Sequence, residues 1–173
     1  MITQDHLENY PQNPSMRGQF GYELYKHMAS NKDIFLLTGD LGYKLFDLHL
    51  EDFKERAINC GASEQSMLDM ACGLAIEGKI PVVYSITPFL LYRGFETIRT
   101  YINHEKLPVI LIGSGRDKNY AHDGFSHDAS DDKKFMPLFE NIVSAWPETI
   151  EDMRLQLKAS IDIPAPTYIN LVR

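Results

Sequence analysis

Apolar residues recur at two spacings along this chain. After Arg17, the residues Phe20, Leu24, Tyr25 and Met28 fall three and four apart, which is one face of a helix. Ile34-Phe35-Leu36-Leu37 follows as a short continuous run closed by Thr38-Gly39-Asp40. The same alternation continues. It predicts strands at about 34–38, 57–60, 81–86, 108–113, 141–145 and 167–172. Helices are expected at about 17–30, 64–77, 89–105, 131–138 and 148–160. Strands that are apolar at almost every position are covered on both faces, as in parallel sheets with helical crossovers. The expected fold is therefore α/β, a three-layer α/β/α domain with a mostly parallel sheet of about six strands. Residues 1–15, with Pro11 and Pro14 and no periodicity, are expected to be an arm laid over a surface, and residues 16–173 the domain.

One segment breaks the rhythm. SGRDKNYAHDGFSHDAS, between Gly113 and Asp131, is much longer than the usual loop of about 4–6 residues. Loops that follow strand C-termini in α/β sheets are where ligands bind. This one holds His122, Asp123, His127 and Asp128, all able to exchange protons or hydrogen-bond a polar ligand.

Composition narrows the class. With 173 residues, one domain is expected. The balance of 17 basic against 24 acidic residues gives a net charge of −7, which argues against nucleic acid or an anionic membrane as the main partner. The N-terminus shows no charged-then-apolar leader and no apolar run is long enough for a bilayer, so a cytoplasmic protein is expected. Cys60 and Cys72 make no disulfide framework, and no Cys/His cluster suggests zinc, so no metal ligands are expected in the chain itself. His27, His49 and His104 stand apart from other ligand types and read as solvated residues.

The segment Asn59-Cys60-Gly61-Ala62-Ser63-Glu64-Gln65-Ser66-Met67 passes from a strand end to a helix start. On its own it supports a plain structural account, in which Ser63 caps the helix and Glu64 complements its dipole. The order of segments adds a second account. Gly61-x-x-Glu64-Gln65 is followed by Ala71-Cys72-Gly73-Leu74, Pro81-Val82-Val83-Tyr84-Ser85, and Phe89 with Arg93-Gly94-Phe95-Glu96. Leu107-Pro108-Val109, Asp123-Gly124-Phe125-Ser126-His127, Asp132, Asn141-Ile142 and Pro147 come next. This succession resembles the pyrimidine-binding domain of transketolase-like thiamine diphosphate enzymes, and covers nearly everything from Arg17 to Arg173.

The resemblance implies roles. Glu64 would hydrogen-bond a ring nitrogen of the cofactor's aminopyrimidine, stabilising the tautomer that removes the thiazolium proton, so that Glu64 is the catalytic carboxylate. An aromatic platform should stack on the pyrimidine: counting back from Arg93 places it at Leu90, whereas the aromatic residue is Phe89, one earlier. Asp40 resembles a position near the cofactor and is equally a turn-capping Asp. Arg93 would border the cofactor or orient loops. Asp123 and His127 match the family's substrate-contacting Asp and His, with His127 as proton donor or acceptor. Arg17 resembles an arginine that grips a sugar phosphate. The family's diphosphate motif, Gly-Asp-Gly with a downstream Asn, is absent from these residues. The implied assembly is a split enzyme, a hetero-tetramer with a diphosphate-binding subunit that holds Mg²⁺, sharing thiamine diphosphate across the interface and transferring a two-carbon ketol unit between sugars or sugar phosphates. Deoxyxylulose-phosphate-synthase-like or 2-oxo acid dehydrogenase beta-like subunits, and a non-catalytic partner-binding domain, are the alternatives.

Overall fold

The computed structural model describes residues 4–11 and 13–173. Six strands, β1 (Ile34–Thr38), β2 (Ala57–Asn59), β3 (Ile80–Ile86), β4 (Ile110–Ser114), β5 (Val143–Ala145) and β6 (Thr167–Leu171), form one sheet in the order β2-β1-β3-β4-β6-β5. Every pairing is parallel. The expected fold is the observed one.

Strand register sorts the core into two layers. Leu36, Val82 and Ile110 align across β1, β3 and β4, and pack with Phe20, Leu24, Met28, Met153 and Leu157. The next residues in each strand, Leu37, Val83 and Leu111, continue to Tyr168 of β6 and face Met67, Leu68 and Ala71 on the other side. Side chains alternate along a strand, so strands apolar at consecutive positions are buried on both faces. Each fully buried Leu, Ile, Met or Phe contributes about 1.5–3 kcal/mol relative to exposure.

Helices α1 (Gln4–Glu8), α2 (Met16–Ser30), α3 (Asp47–Asp52), α4 (Glu64–Ile76), α5 (Phe95–Thr97), α6 (Asp132–Phe135) and α7 (Ile150–Asp162) complete the layers. The start of α2 is set by Ser15, whose Oγ accepts from the Gly18 amide at 3.0 Å. Thr149 and Asp152 form a reciprocal capping box at the start of α7. Ser63 does not cap α4: its hydroxyl donates back to the Cys60 carbonyl at 3.2 Å. The helix expected over 89–105 is wound as π-helix at Phe89–Arg93 and Ile98–His104, on either side of α5. The expected 131–138 helix is α6 continued by a 3₁₀ turn, Met136–Leu138.

Two helices lie outside the expected set, α1 and α3. Residues 1–3 and 12 of the expected arm lie outside the described residues; its described part lies over this chain's own surface. Tyr10 is buried, with its ring 5.2 Å from those of Tyr22 and Tyr25, and its hydroxyl donates to the Leu45 carbonyl at 3.1 Å. His6 Nδ1 lies 2.8 Å from Asp52 Oδ2. Beneath the arm sits His49, fully buried among Tyr10, Tyr25, Phe46 and Phe53, not solvated as expected. His27 is half-buried and His104 is exposed. Among the described residues no helix is long and apolar enough to cross a membrane.

Candidate active site

The C-terminal ends of β1, β2, β3 and β4 deliver Asp40, Gly61, Thr87 and Gly115 to one edge of the sheet. Loops at this edge form the ligand crevice of open parallel sheets. β2 leaves the sheet through Gly61, whose φ of +71° is a conformation that glycine adopts without strain. A Cβ there would meet nothing within 4 Å, so the requirement is conformational and not steric. Three residues later Glu64 opens α4.

Glu64 is only 3% exposed. Its Oε1 accepts from Ser85 Oγ at 3.2 Å, and its Oε2 accepts from Arg93 Nη1 at 2.9 Å. A carboxylate taken out of water at a helix start is favoured by the dipole there, yet burial still costs several kcal/mol unless partners compensate. Ser85 and a half-exposed Arg93 are the partners here.

The Arg93 guanidinium also lies 3.7 Å from the centroid of the Phe89 ring. Phe89 in turn meets the His127 ring edge-on at 4.8 Å. The turn that carries Phe89 and Leu90 is wound as π-helix over Phe89–Arg93. Leu90 points into the core with Leu68 and Val83 and has no exposed surface, while Phe89 faces the edge.

The long loop runs through two 3₁₀ turns, Ala121–Asp123 and Phe125–His127, joined by Gly124 at φ +90°. His127 Nδ1 is 3.0 Å from Ser126 Oγ, and its ring is 6.4 Å from that of Tyr120. Tyr120 is buried and accepts from Arg17 Nη1 at 3.1 Å. Arg173 lies over the same ring at 4.9 Å, and its Nη1 is 3.4 Å from His122 Nε2. His122 is paired with Asp123 at 3.2 Å. The loop thus gathers Arg17, Arg173, Asp123 and His127 around Tyr120. The Tyr84 hydroxyl, fully buried, is raised well above its ordinary pKa by burial, against the lowering effect of Arg17.

Asp40 is exposed at the end of β1, where Asn59 Nδ2 donates to its Oδ1 at 3.4 Å. Glu64, Arg93, Phe89 and His127 therefore form one contact chain, Arg17 joins it through Tyr120, and Asp40 stands apart on the same edge. Ser85, Tyr120 and Arg173 are residues that sequence reading missed. Ser85 had a signal of sorts, as the one polar residue in an otherwise apolar stretch of β3.

Comparison with known proteins identifies the family and the fold. The family model for the transketolase pyrimidine binding domain matches residues 12–173. The chain is 28% identical over 159 residues to a putative transketolase C-terminal section from Methanocaldococcus jannaschii, covering 91% of this chain and 50% of that protein. It is 30% identical over 122 residues to one of the subunits of an apulose-4-phosphate transketolase from Actinobacillus succinogenes, covering 70% of this chain and 39% of that protein. A solved structure described as a split gene transketolase, inactive beta4 tetramer, superposes with a TM-score of 0.81 at 29% identity, over 94% of this chain and 52% of that one. The chain spans about half or less of the length of these relatives. It belongs to the transketolase pyrimidine-binding domain family.

Proposed function

We propose that this chain is the pyrimidine-binding subunit of a split, thiamine diphosphate-dependent transketolase-like enzyme, which moves a two-carbon ketol unit between sugars or sugar phosphates. Family membership implies the cofactor. The observation that carries the reading is Glu64, a carboxylate buried at the ligand edge of a parallel sheet and linked through Arg93 to an aromatic ring. Such a group is costly for the fold alone. It suits a hydrogen bond to the ring nitrogen of a flat heterocycle.

The donor set at this edge suits the pyrimidine end of the cofactor, and the sequence lacks the Gly-Asp-Gly motif that would hold its diphosphate. Glu64 would hold the pyrimidine nitrogen, Phe89 would pack against the ring, Arg93 would fix both side chains, and Asp40 would border the cofactor. When bound, thiamine diphosphate supplies the carbon nucleophile. Asp123 and His127 would take the sugar's hydroxyl and carbonyl oxygens, with His127 accepting or returning a proton near neutral pH. Arg17, with Arg173 across Tyr120, would receive a sugar phosphate through the planar fork that arginine presents.

The diphosphate and its Mg²⁺ would then be held by a second kind of subunit, in a hetero-tetramer. Two observations support this. Relatives are named as a transketolase subunit and as a transketolase C-terminal section. The solved tetramer of beta chains is described as inactive. A cytoplasmic location goes with this reading. Co-purification of the chain from its own cells tests it. The tightly bound companion should carry Gly-Asp-Gly with a downstream Asn, and an unrelated companion would contradict the assignment.

A further inference from the structure

Both ends of the long loop, and the turn that carries Phe89, converge on one buried amide. Asn170, in β6, has no exposed surface. Its Oδ1 accepts from Arg116 Nε at 3.3 Å and its carbonyl from Arg116 Nη2 at 2.7 Å, at the point where the chain enters the loop. Its Nδ2 lies 2.8 Å from Asp132 Oδ2, the first residue of α6, where the loop ends. The same Nδ2 lies 3.1 Å from Thr87 Oγ1, two residues before Phe89.

The surroundings make this set rigid. Asp132 Oδ2 also accepts from Trp146 Nε1 and from the Tyr168 hydroxyl, each at 2.8 Å. The Thr87 hydroxyl donates to the Gly115 carbonyl at 2.9 Å, which ties the end of β3 to the start of the loop. The loop's neck is closed by an antiparallel bridge in which the Ala129 amide donates to the Asp117 carbonyl at 2.9 Å. A Cβ at Gly113 would stand 2.7 Å from Thr87 Oγ1 and 3.1 Å from the Tyr168 hydroxyl, so only glycine leaves room for the cluster. Asp132 Oδ1 is buried without a partner. A polar network of this kind stabilises less than an apolar core of the same volume would, and costs heavily when one member is removed. What it gives is a single geometry.

We propose that Asn170 is a positioning residue, a clamp that fixes the loop bearing Asp123 and His127 in one register with the turn bearing Phe89. Through it the substrate side and the cofactor side of the cleft share a support, since Phe89 and His127 are in ring contact at their free ends. The kinetic part of this inference rests on the proposed ketol transfer. The clamp itself does not.

The test uses three variants of the full chain. Asn170→Asp sets a second carboxylate against Asp132, Asn170→Ser removes the contacts without adding charge, and the reciprocal pair Asn170→Asp with Asp132→Asn restores a carboxylate–amide contact. Hydrogen exchange followed by mass spectrometry should show the amides of 117–130, Thr87 and 89–91 exchanging about tenfold or more faster in both single variants. Amides of β1 should be unchanged, and the reciprocal pair should return toward wild type. Unchanged loop exchange in both single variants overturns the clamp. Faster exchange spread equally through β1 overturns it too, because Asn170 would then be a general core residue. In the assembled enzyme, Asn170→Ser should raise the sugar KM and the reciprocal pair should recover it. A loosened loop with wild-type KM overturns the positioning role. No transfer by the wild-type assembly would overturn the functional reading instead, and the exchange data would still decide the clamp.

Discussion

Arg93 Nη1 donates to Glu64 Oε2 at 2.9 Å, and the pair is asymmetric: the carboxylate is 3% exposed, the guanidinium side chain 48%. The buried partner cannot easily move and the exposed one can. Glu64→Gln keeps an oxygen for Ser85 or Arg93, so the fold should survive and melting should shift little. In the assembled enzyme the same change should slow thiazolium proton exchange and turnover by roughly 10²–10⁴-fold, the scale of losing a positioned acid–base group. Exchange measured by NMR alongside steady-state transfer checks this. Wild-type rates would reduce Glu64 to a helix-end residue.

Phe89 and Leu90 should part company when each is truncated. Leu90 is enclosed by core side chains, so Leu90→Ala should cost about 2–5 kcal/mol of stability in urea unfolding. Phe89 faces the cleft with Arg93 and His127, so Phe89→Ala should cost less stability and instead weaken thiamine diphosphate binding by the assembled enzyme. A reversed pattern would move the platform into the core.

On the proposed function, the Asp123 and His127 pair acts on the sugar and not on the cofactor. Asp123→Ala or His127→Ala should raise the sugar KM or lower turnover while leaving thiazolium proton exchange near wild type. Lost uniform binding raises KM alone, whereas a contact made only in the transition state lowers kcat and kcat/KM together. A doubly substituted chain that folds and transfers normally would remove the loop from the site.

His49 gives the fold an acid weakness. Burial pushes its pKa down to about 3, against smaller raising effects from the Gly21 backbone and Asp52. The unfolded chain takes up a proton at about pH 6.5, the ordinary histidine value, while the folded chain resists until about 3. The folded state therefore binds fewer protons across that window, and stability should fall as pH drops from about 6.5 toward 3. His49→Phe, an apolar ring among aromatic neighbours, should flatten that part of the profile. Urea unfolding at several pH values checks it, and identical slopes for both proteins would contradict it.

The sheet was legible because parallel strands covered on both faces are apolar at consecutive positions, as in Ile34–Leu37 and Pro81–Tyr84. The turn that leads into Glu64 was legible as a strand-end glycine followed by a helix start. That local signal gave only a helix-end residue, and a role for its carboxylate came from the order of segments along the chain. Ser85 was not legible, since its contact with Glu64 depends on how α4 lies against β3, and Asn170 meets partners from separate segments of the chain. Which of Phe89 and Leu90 is buried was not legible because π winding leaves no mark in residue type. His49 was misjudged for a similar reason. Its ring is enclosed by Tyr25, Phe46 and Phe53 as well as by Tyr10 of the arm, and the partners from distant segments leave no spacing near His49. The Asp123 and His127 segment was found by its length and composition, while Arg173 and Tyr120 join it only through the loop's path.

The central claim is that this chain provides one wall of a shared cofactor site. Calorimetric titration of thiamine diphosphate with Mg²⁺, into the chain alone and into the chain mixed with its Gly-Asp-Gly-bearing companion, measures it directly. The lone chain should give little heat, and the mixture should show stoichiometric, Mg²⁺-dependent binding. Tight stoichiometric binding to the lone chain would contradict the claim.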